Sequence, residues 1–281
     1  MKVQAITSLQ NPRVKAVAKL RDSRGRRSAG LFVAEGRREV SRAAAAGLTM
    51  QEFWVCPAML GLQEPLDISD LADAFGVQPS TAVFTVSEVV FGKLAYVREP
   101  EGVLAVCAPP IWTGDQLPGV GAGTLDLVAV GTEKPGNLGA MVRSADAAGC
   151  RCVVAAGAPV DAMNPNAIRA STAAVFRMPT LTMGEDEAIN YYQKAGVRLI
   201  AAYPEQGRDY TGVDYTGPVA LVVGPEDRGL SPAWRDAAEA TGGACVRIAM
   251  AGRAVDSLNA SVAAGVLLFE AVRQRNAAGI Q

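Results

Sequence analysis

The sequence predicts an α/β protein: a parallel sheet covered by helices on both faces, preceded by a smaller mixed α/β unit. Three observations predict it. Beyond residue 124, short and nearly continuous apolar runs ("LDLVAVG", "CRCVVAAG", "FRMPTLT", "RLIAAYP", "VALVVGP", "ACVRIAM") alternate with helix-like stretches, as strands buried on both faces do. Before residue 108, strand-like and helical patterns are mixed more irregularly. Between them "PPIWTGDQLPGVGAGT" is rich in Pro and Gly and has no period, which marks a linker. The expected division is therefore 1–107, a linker over 108–124, and 125–281. At 281 residues, 49% of them hydrophobic, the chain can bury a sizeable core in each part.

The elements follow in order. "NPRVKAVAKLRD" has helical spacing through Val14, Val17, Ala18 and Leu20, and Pro12 suits a first helical turn. "RGRRSAG" is expected to break that helix. "LFVAEG" reads as a strand, and "RREVSRAAAAGL" as a helix closed by Gly47; "EFWVCP", "AVFTVS" and "GVLAVCAP" supply further strands. In the larger part, "LDLVAV" runs into "GTEKPGNLGAMVRSADAAG", a turn containing Gly131, Pro135, Gly136 and Gly139 that enters a helix bearing Arg143. "VALVVGPEDRGLS" is a strand and a sharp turn with Gly224, Pro225, Glu226 and Arg228. The stretch from Val246 to Arg275 is a strand, an exposed loop, then a long helix for which Asp256 or Ser257 is the candidate N-cap. Its stripe of Leu258, Val262, Val266 and Phe269 reads as core, while Ala263, Ala264 and Gly265 leave a smooth patch for another helix.

Composition narrows the chemistry. There is no histidine, which removes Ser-His-Asp and Cys-His catalysis and histidine proton shuttles. Cys56, Cys107, Cys150, Cys152 and Cys245 are scattered. Cys150 and Cys152 would share one face of a strand, but zinc sites use spaced pairs or histidine, so buried reduced thiols and no metal are expected. No apolar run approaches the roughly 18–20 residues of a membrane span, and "MKVQAITSLQNPRVK" lacks a signal peptide's apolar stretch, so a cytoplasmic protein is expected. The net charge of −1 hides an asymmetry: residues 1–45 carry eleven Lys/Arg against Asp22, Glu35 and Glu39. Such a surface suits a polyanion, although a solvated helix face has the same composition. Removing residues 1–45 is accordingly expected to weaken polyanion binding.

Gly131, Gly136 and Gly139 do not form the tight Gly-x-Gly of a dinucleotide loop, nor does Gly-Lys-Ser/Thr follow Gly136. Taken in order, however, three loops are specific: N-x-G-x-x-x-R from Asn137 to Arg143, G-P-E-x-x-G-L-S from Gly224 to Ser231, and I-x-M followed by S-L-N-x-S from Ile248 to Ser261. They resemble the three motifs of the SpoU (TrmH) branch of the SPOUT methyltransferases over nearly all of residues 125–276. "ITSLQNPRVKAVAKL" and "FVAEGRREV" resemble that family's small RNA-binding domain, itself similar to ribosomal protein L30e.

The resemblance implies a SPOUT sheet with a C-terminal deep trefoil knot, an L30e-like domain over 1–107, a homodimer through the C-terminal helix, and S-adenosyl-L-methionine as cofactor. It implies methylation of a ribose 2′-hydroxyl in RNA. Cofactor contacts would come from Ala201, Ala202, Gly224, Glu226, Ile248, Met250, Ser257 and Leu258. Arg143, Asn137, Glu226, Ser257 and Asn259 would serve catalysis, with Arg143 holding the ribose and its phosphate and stabilising developing alkoxide. Arg13, Lys15, Arg37, Arg143 and Arg169 would contact RNA. The separate N-terminal domain points to 23S rRNA, with an antibiotic-resistance role among the options; a tRNA enzyme or a non-catalytic RNA-binding module of the same fold are the alternatives. The chain departs from the family pattern at Glu133 or its neighbours, where Asp is usual, at Ala249 and Ala260, and by one extra residue between Gly252 and Ser257.

Overall fold

The computed structural model describes residues 3–62, 65–157, 160–252, 254 and 257–280. Strand β1 (Val3–Ile6) leads to α1 (Pro12–Lys19), whose N-cap Asn11 accepts a hydrogen bond from the Arg13 N–H. Pro12 opens that helix as expected, and Val14 and Val17 are buried. The next stretch corrects the expected break: "SRGRRSA" is helix α2 (Ser23–Ala29). Buried Arg26 donates from Nη1 to the carbonyls of Leu20 and Arg21, both at 2.7 Å, and so caps the end of α1. Gly25 makes the corner possible, since a Cβ there would stand 2.0 Å from the Lys19 carbonyl oxygen. Sequence pattern alone reads Arg-rich, Gly-containing stretches as loop, because it does not see an arginine used as an internal cap.

Then follow β2 (Phe32–Glu35), α3 (Arg37–Ala45), β3 (Met50–Val55), α4 (Pro57–Leu60), α5 (Pro65–Ala74), β4 (Ala82–Val86), α6 (Glu88–Leu94) and β5 (Val103–Cys107). Among the described residues these strands form a mixed sheet in the order β1-β4-β3-β5-β2. β1, β4 and β3 run parallel, and β5 is antiparallel to β3 and β2. The second series is β6 (Leu125–Val130), α7 (Pro135–Ala147), β7 (Cys152–Ala156), α8 (Pro165–Ala170), β8 (Thr180–Met183), α9 (Glu185–Ala195), β9 (Arg198–Ala202), β10 (Arg208–Asp209), β11 (Val219–Val223), α10 (Pro232–Ala240), β12 (Ala244–Arg247) and α11 (Ala260–Ala277). Its sheet has the order β10-β12-β9-β11-β6-β7-β8, with every described pairing parallel. Helices carry the chain between most of these strands, as parallel pairing requires, while β9 reaches β11 through β10 and a single short turn at Tyr210–Gly212.

The chain divides into two compact units, Met1–Ile111 with Met163–Arg177, and Trp112–Ala162 with Met178–Gln281. The sequence-based division differs in two respects: α8 and the turn after it belong to the first unit, and the expected linker over 108–124 is divided between the two units, with Trp112 and Leu117 packed against the second core. Phe176 explains the first, its ring lying 5.3 Å from that of Phe32, and Arg42 donates to the Thr172 carbonyl and, at 3.1 Å, to its hydroxyl. The first core centres on Trp54, Phe84, Phe91 and Leu104, the second on Val128, Val154, Leu199, Val222 and Trp234.

Two further expectations change. Asn259 caps α11, its side chain accepting from the Ser261 N–H; Ser257 lies two residues outside, and Asp256 lies outside the described residues. The buried face of α11 is Ala260, Ala264, Leu267, Leu268 and Ala271, packed across α7 and β11. Val262 and Phe269 of the expected core stripe are instead 50% and 51% exposed. From Val262 to Phe269 the helix has no polar side chain, so pattern reading finds no polar side by which to orient that stretch.

Candidate functional site

Strand β11 lies between β9 and β6, so the carboxyl ends of all three stand side by side. In an open parallel sheet that edge is where ligands bind. At the end of β6, Gly131 turns the chain with φ 59°, and Pro135 starts α7 in its first turn. This puts Asn137 on the opening turn of α7. At the end of β11, Gly224 passes so close to the returning loop that a Cβ would stand 2.9 Å from Gly229 C and Leu230 N. That tight return presents Glu226 toward α7.

Glu226 ties the three motif loops together. Its Oε1 accepts from Asn137 Nδ2 at 3.2 Å, from the Ala260 backbone N–H at 3.2 Å, and from Asn259 Nδ2. The Asn259 amide also reaches Asn137 Oδ1 at 3.4 Å. Lys134 Nζ stands 3.4 Å from Oε2. The Ala260 N–H, together with Lys134 and Asn137, holds the Glu226 carboxyl below its ordinary value of 4.5. A carboxylate so placed at the first turn of α11 also meets the positive end of the helix dipole. Three residues selected from sequence, Asn137, Glu226 and Asn259, thus meet although up to 122 positions separate them.

A cleft of about 460 Å³ opens at the ends of β9 and β11, a usual size for a small-molecule site of roughly 300–1,000 Å³. Ala202, Gly224, Glu226, Ser257 and Leu258 line it. A smaller apolar recess of about 60 Å³ shares Ala202, Ser257 and Leu258 and adds Ile248 and Met250. Every expected cofactor contact therefore borders one of these two spaces except Ala201, which is fully buried in the core of the sheet. The reason is the two-residue alternation of a strand: with Ala201 inward, Ala202 faces the cleft. Tyr203 and Arg235, which sequence reading passed over, close one end of the cleft. The Tyr203 hydroxyl donates to the Ser231 carbonyl at 2.6 Å, and the Arg235 guanidinium lies 4.9 Å from the Tyr203 ring centre. Neither belongs to a recognisable spacing, so only the fold reveals them.

Arg143 is not brought to this cluster. It lies six residues beyond Asn137 on α7, roughly 9 Å along the axis and on a different face. It is exposed, and among the described residues it has no hydrogen-bond or ion-pair partner. Its neighbour Ser144 faces α11, where a Cβ on Gly265 would stand 3.7 Å from Ser144 Oγ. Ser257 is exposed at the rim of the cleft and likewise holds no partner among the described residues.

The remaining basic candidates lie in the first unit. Lys15, Arg37 and Arg169 are exposed. Arg13 is engaged, with Nη1 2.8 Å from Glu52 Oε1 and its guanidinium 5.0 Å from the Phe84 ring centre. Arg21 and Arg26 donate to main-chain carbonyls and Arg42 to Thr172, so much of the basic excess in residues 1–45 is structural. Deleting 1–45 would remove β1, β2 and the helices between them, and is therefore a test of folding rather than of charge. Arg169 is followed by two successive left-handed residues, Thr172 at φ 50° and Ala173 at φ 65°. Such backbone costs about 1–3 kcal/mol per residue and concentrates at functional segments. Cys150 is buried just before β7 and Cys152 opens that strand. Burial, with Asp126 second, pushes both thiols well up; burial alone lifts Cys107 to about 12.

A family model described as the SpoU rRNA Methylase family matches residues 124–269, and one described as an MRM3-like substrate binding domain matches residues 11–105. The chain is 35% identical over 182 residues to the 23S rRNA (uridine(2479)-2′-O)-methyltransferase of Streptomyces viridochromogenes, covering 63% of this chain and 61% of that protein. It is 38% identical over 161 residues to the 23S rRNA (guanosine-2′-O-)-methyltransferase RlmB of Ralstonia nicotianae, covering 57% and 63%. The match thus spans about three fifths of the length of these two relatives. Among solved structures, an RNA 2′-O ribose methyltransferase superposes with a TM-score of 0.81 at 40% identity, over 97% of this chain and all of that one. The AdoMet-bound rRNA methyltransferase from Sinorhizobium meliloti gives 0.83 at 30% identity, over 96% and 98%.

Proposed function

The chain belongs to the SpoU rRNA methylase family, and from that premise we propose that it transfers a methyl group from S-adenosyl-L-methionine to a ribose 2′-hydroxyl of 23S rRNA. The observation that carries the reading is the Glu226 tie, which assembles Asn137, Asn259 and the first turn of α11 beside a cleft of cofactor size. Methyl transfer to an unmodified 23S rRNA transcript, with 2′-O-methyl mapping of the product, tests it.

The residues fit the cofactor. The recess bordered by Ile248, Met250 and Leu258 suits an adenine, and the main cleft continues past Gly224 to the carboxylates Glu205, Glu226 and Asp227, which suit cationic groups. When bound, S-adenosylmethionine supplies a methyl group already activated on a sulfonium. The protein's own work is alignment and exclusion of water. Asn137 and Asn259, fixed by Glu226, orient the ribose. Glu226 is a poor base, because hydrogen bonding stabilises its charged form. With no histidine in the chain, the hydroxyl proton leaves to phosphate or water while arginine stabilises the developing alkoxide.

Arg143 performs that last role across a dimer. Its place beside α11, the exposure of Val262 and Phe269, and the small residues Ala263 and Gly265 support α11 as the contact between two copies. Val262→Asp with Phe269→Asp is expected to give a monomer in sedimentation analysis and to lose methyl transfer while still binding cofactor. A dimer of unchanged strength would move the interface elsewhere. The order β12-β9-β11 and the return of α11 across α7 support the family's trefoil knot, with the C-terminal segment passing through the loops at the site.

The first unit supplies RNA affinity through exposed Lys15, Arg37 and Arg169, and the protein acts in the cytoplasm where rRNA is made. No helix among the described residues is long and apolar enough to cross a membrane. Replacing all three by glutamine is expected to flatten the dependence of log K on log salt by about 2 to 3, at roughly 0.7–0.9 per phosphate contact. An unchanged slope would leave these side chains as solvated surface.

A further inference from the structure

Glu226 uses its two oxygens unequally. Among the described residues, Oε1 takes three donors from Asn137, Asn259 and Ala260, whereas Oε2 takes Lys134 alone. The Lys134 side chain is 74% exposed, and that of Glu226 30%. An exposed pair of this kind adds little to stability. Lys134 is also the N-cap residue of α7, where the helix dipole disfavours a cation and where its side chain caps nothing. Little holds Lys134 in place, and Glu226 stays tied through Oε1 when it leaves. Both residues border a second cleft of about 240 Å³, with Gly131, Thr132 and Asn137.

We propose that Lys134 is a contact for an RNA phosphate next to the target nucleotide, and that its exchange from Glu226 to phosphate frees Oε2 to accept the ribose 2′-hydroxyl. The inference rests on the reading of the chain as a ribose methyltransferase. Phosphate offers Lys134 a charge-assisted hydrogen bond of the same kind as the carboxylate does. A compact ammonium on a flexible stem makes that exchange without moving the backbone. The vacated Oε2 is an acceptor on the same carboxylate that holds the Asn137 amide, and a ribose hydroxyl is a donor. The proton stays on the hydroxyl in this contact, so Lys134 is a positioning residue. The coupling makes the acceptor available where a phosphate is present, which favours a polynucleotide over a free nucleoside.

The experiment uses the full chain as wild type, Lys134→Met and Lys134→Arg, with an unmodified 23S rRNA transcript. Cofactor affinity by calorimetry, RNA binding by filter retention and steady-state methyl transfer are each measured, the last two across a salt series. All three proteins are expected to bind S-adenosylmethionine within twofold of one another. Lys134→Met is expected to raise KM for RNA about tenfold and to lower the salt slope by the roughly 0.7–0.9 of one phosphate contact. Lys134→Arg should restore most of both. A methionine variant with the wild-type slope and KM, or an arginine variant that restores neither, overturns the proposal. Wild-type protein that transfers no methyl overturns the enzymatic reading instead, and the filter-binding slopes then still decide whether Lys134 meets phosphate.

Discussion

Replacing Glu226 by alanine is expected to reduce kcat/KM for methyl transfer by about 10²-fold, the scale on which a misplacement of roughly 1 Å costs rate. The side chain removed is the shared acceptor for Asn137, Asn259 and the Ala260 N–H, so all three motif loops lose their common fixed point. The second core, centred on Trp234 and Val222, does not include it, so the circular dichroism spectrum and melting should change little. Glu226→Gln keeps an oxygen that can accept the same three donors, and is expected to recover at least a tenth of wild-type activity. A glutamine variant as inactive as alanine would show that the negative charge itself, rather than the tie, is what the site requires.

Arg143→Ala is expected to lose about 10²–10³-fold in kcat, the effect of removing one donor aimed at developing negative charge. S-adenosylmethionine should bind it normally, since Arg143 borders neither the main cleft nor the recess of Ile248 and Met250. The distance of Arg143 from the Glu226 cluster makes a sharper test available. When Arg143→Ala and Glu226→Ala proteins are mixed and allowed to exchange subunits, each mixed dimer contains one site with Glu226 from one copy and Arg143 from the other. Two inactive proteins should then regain about a quarter of wild-type activity on random pairing of a two-fold dimer. No recovery would place Arg143 in its own subunit's site, or out of the reaction.

Much of this was legible in the sequence, and the exceptions have physical causes. The parallel sheet announced itself because strands buried on both faces must be almost wholly apolar, as "VALVV" and "CVVAA" are. Asn137, Glu226 and Asn259 could be selected because their loops resemble the three motifs of a known family, but nothing in one dimension says that a single carboxylate oxygen gathers the two amides. Arg26 and α2 were hidden because capping by an internal arginine has no period. Val262 and Phe269 read as core because an apolar stripe gives no sign of which of its members the rest of the chain covers. Tyr203 and Arg235 lie next to motif loops rather than within them, and acquire meaning only when β9 and α10 are set together. The basic excess before residue 46 was visible as charge, yet its division into structural arginines and free cations depends on which carbonyls lie within reach.

Methyl transfer to a ribose of 23S rRNA is tested most directly by one measurement. Purified protein, S-adenosylmethionine labelled in the methyl group and an unmodified 23S rRNA transcript are incubated, and the RNA is digested to nucleosides. The label is predicted to appear in a single 2′-O-methylnucleoside, at one mapped position, and to disappear with Glu226→Ala. Label recovered on a base, or none in the RNA although cofactor and RNA both bind, would contradict it.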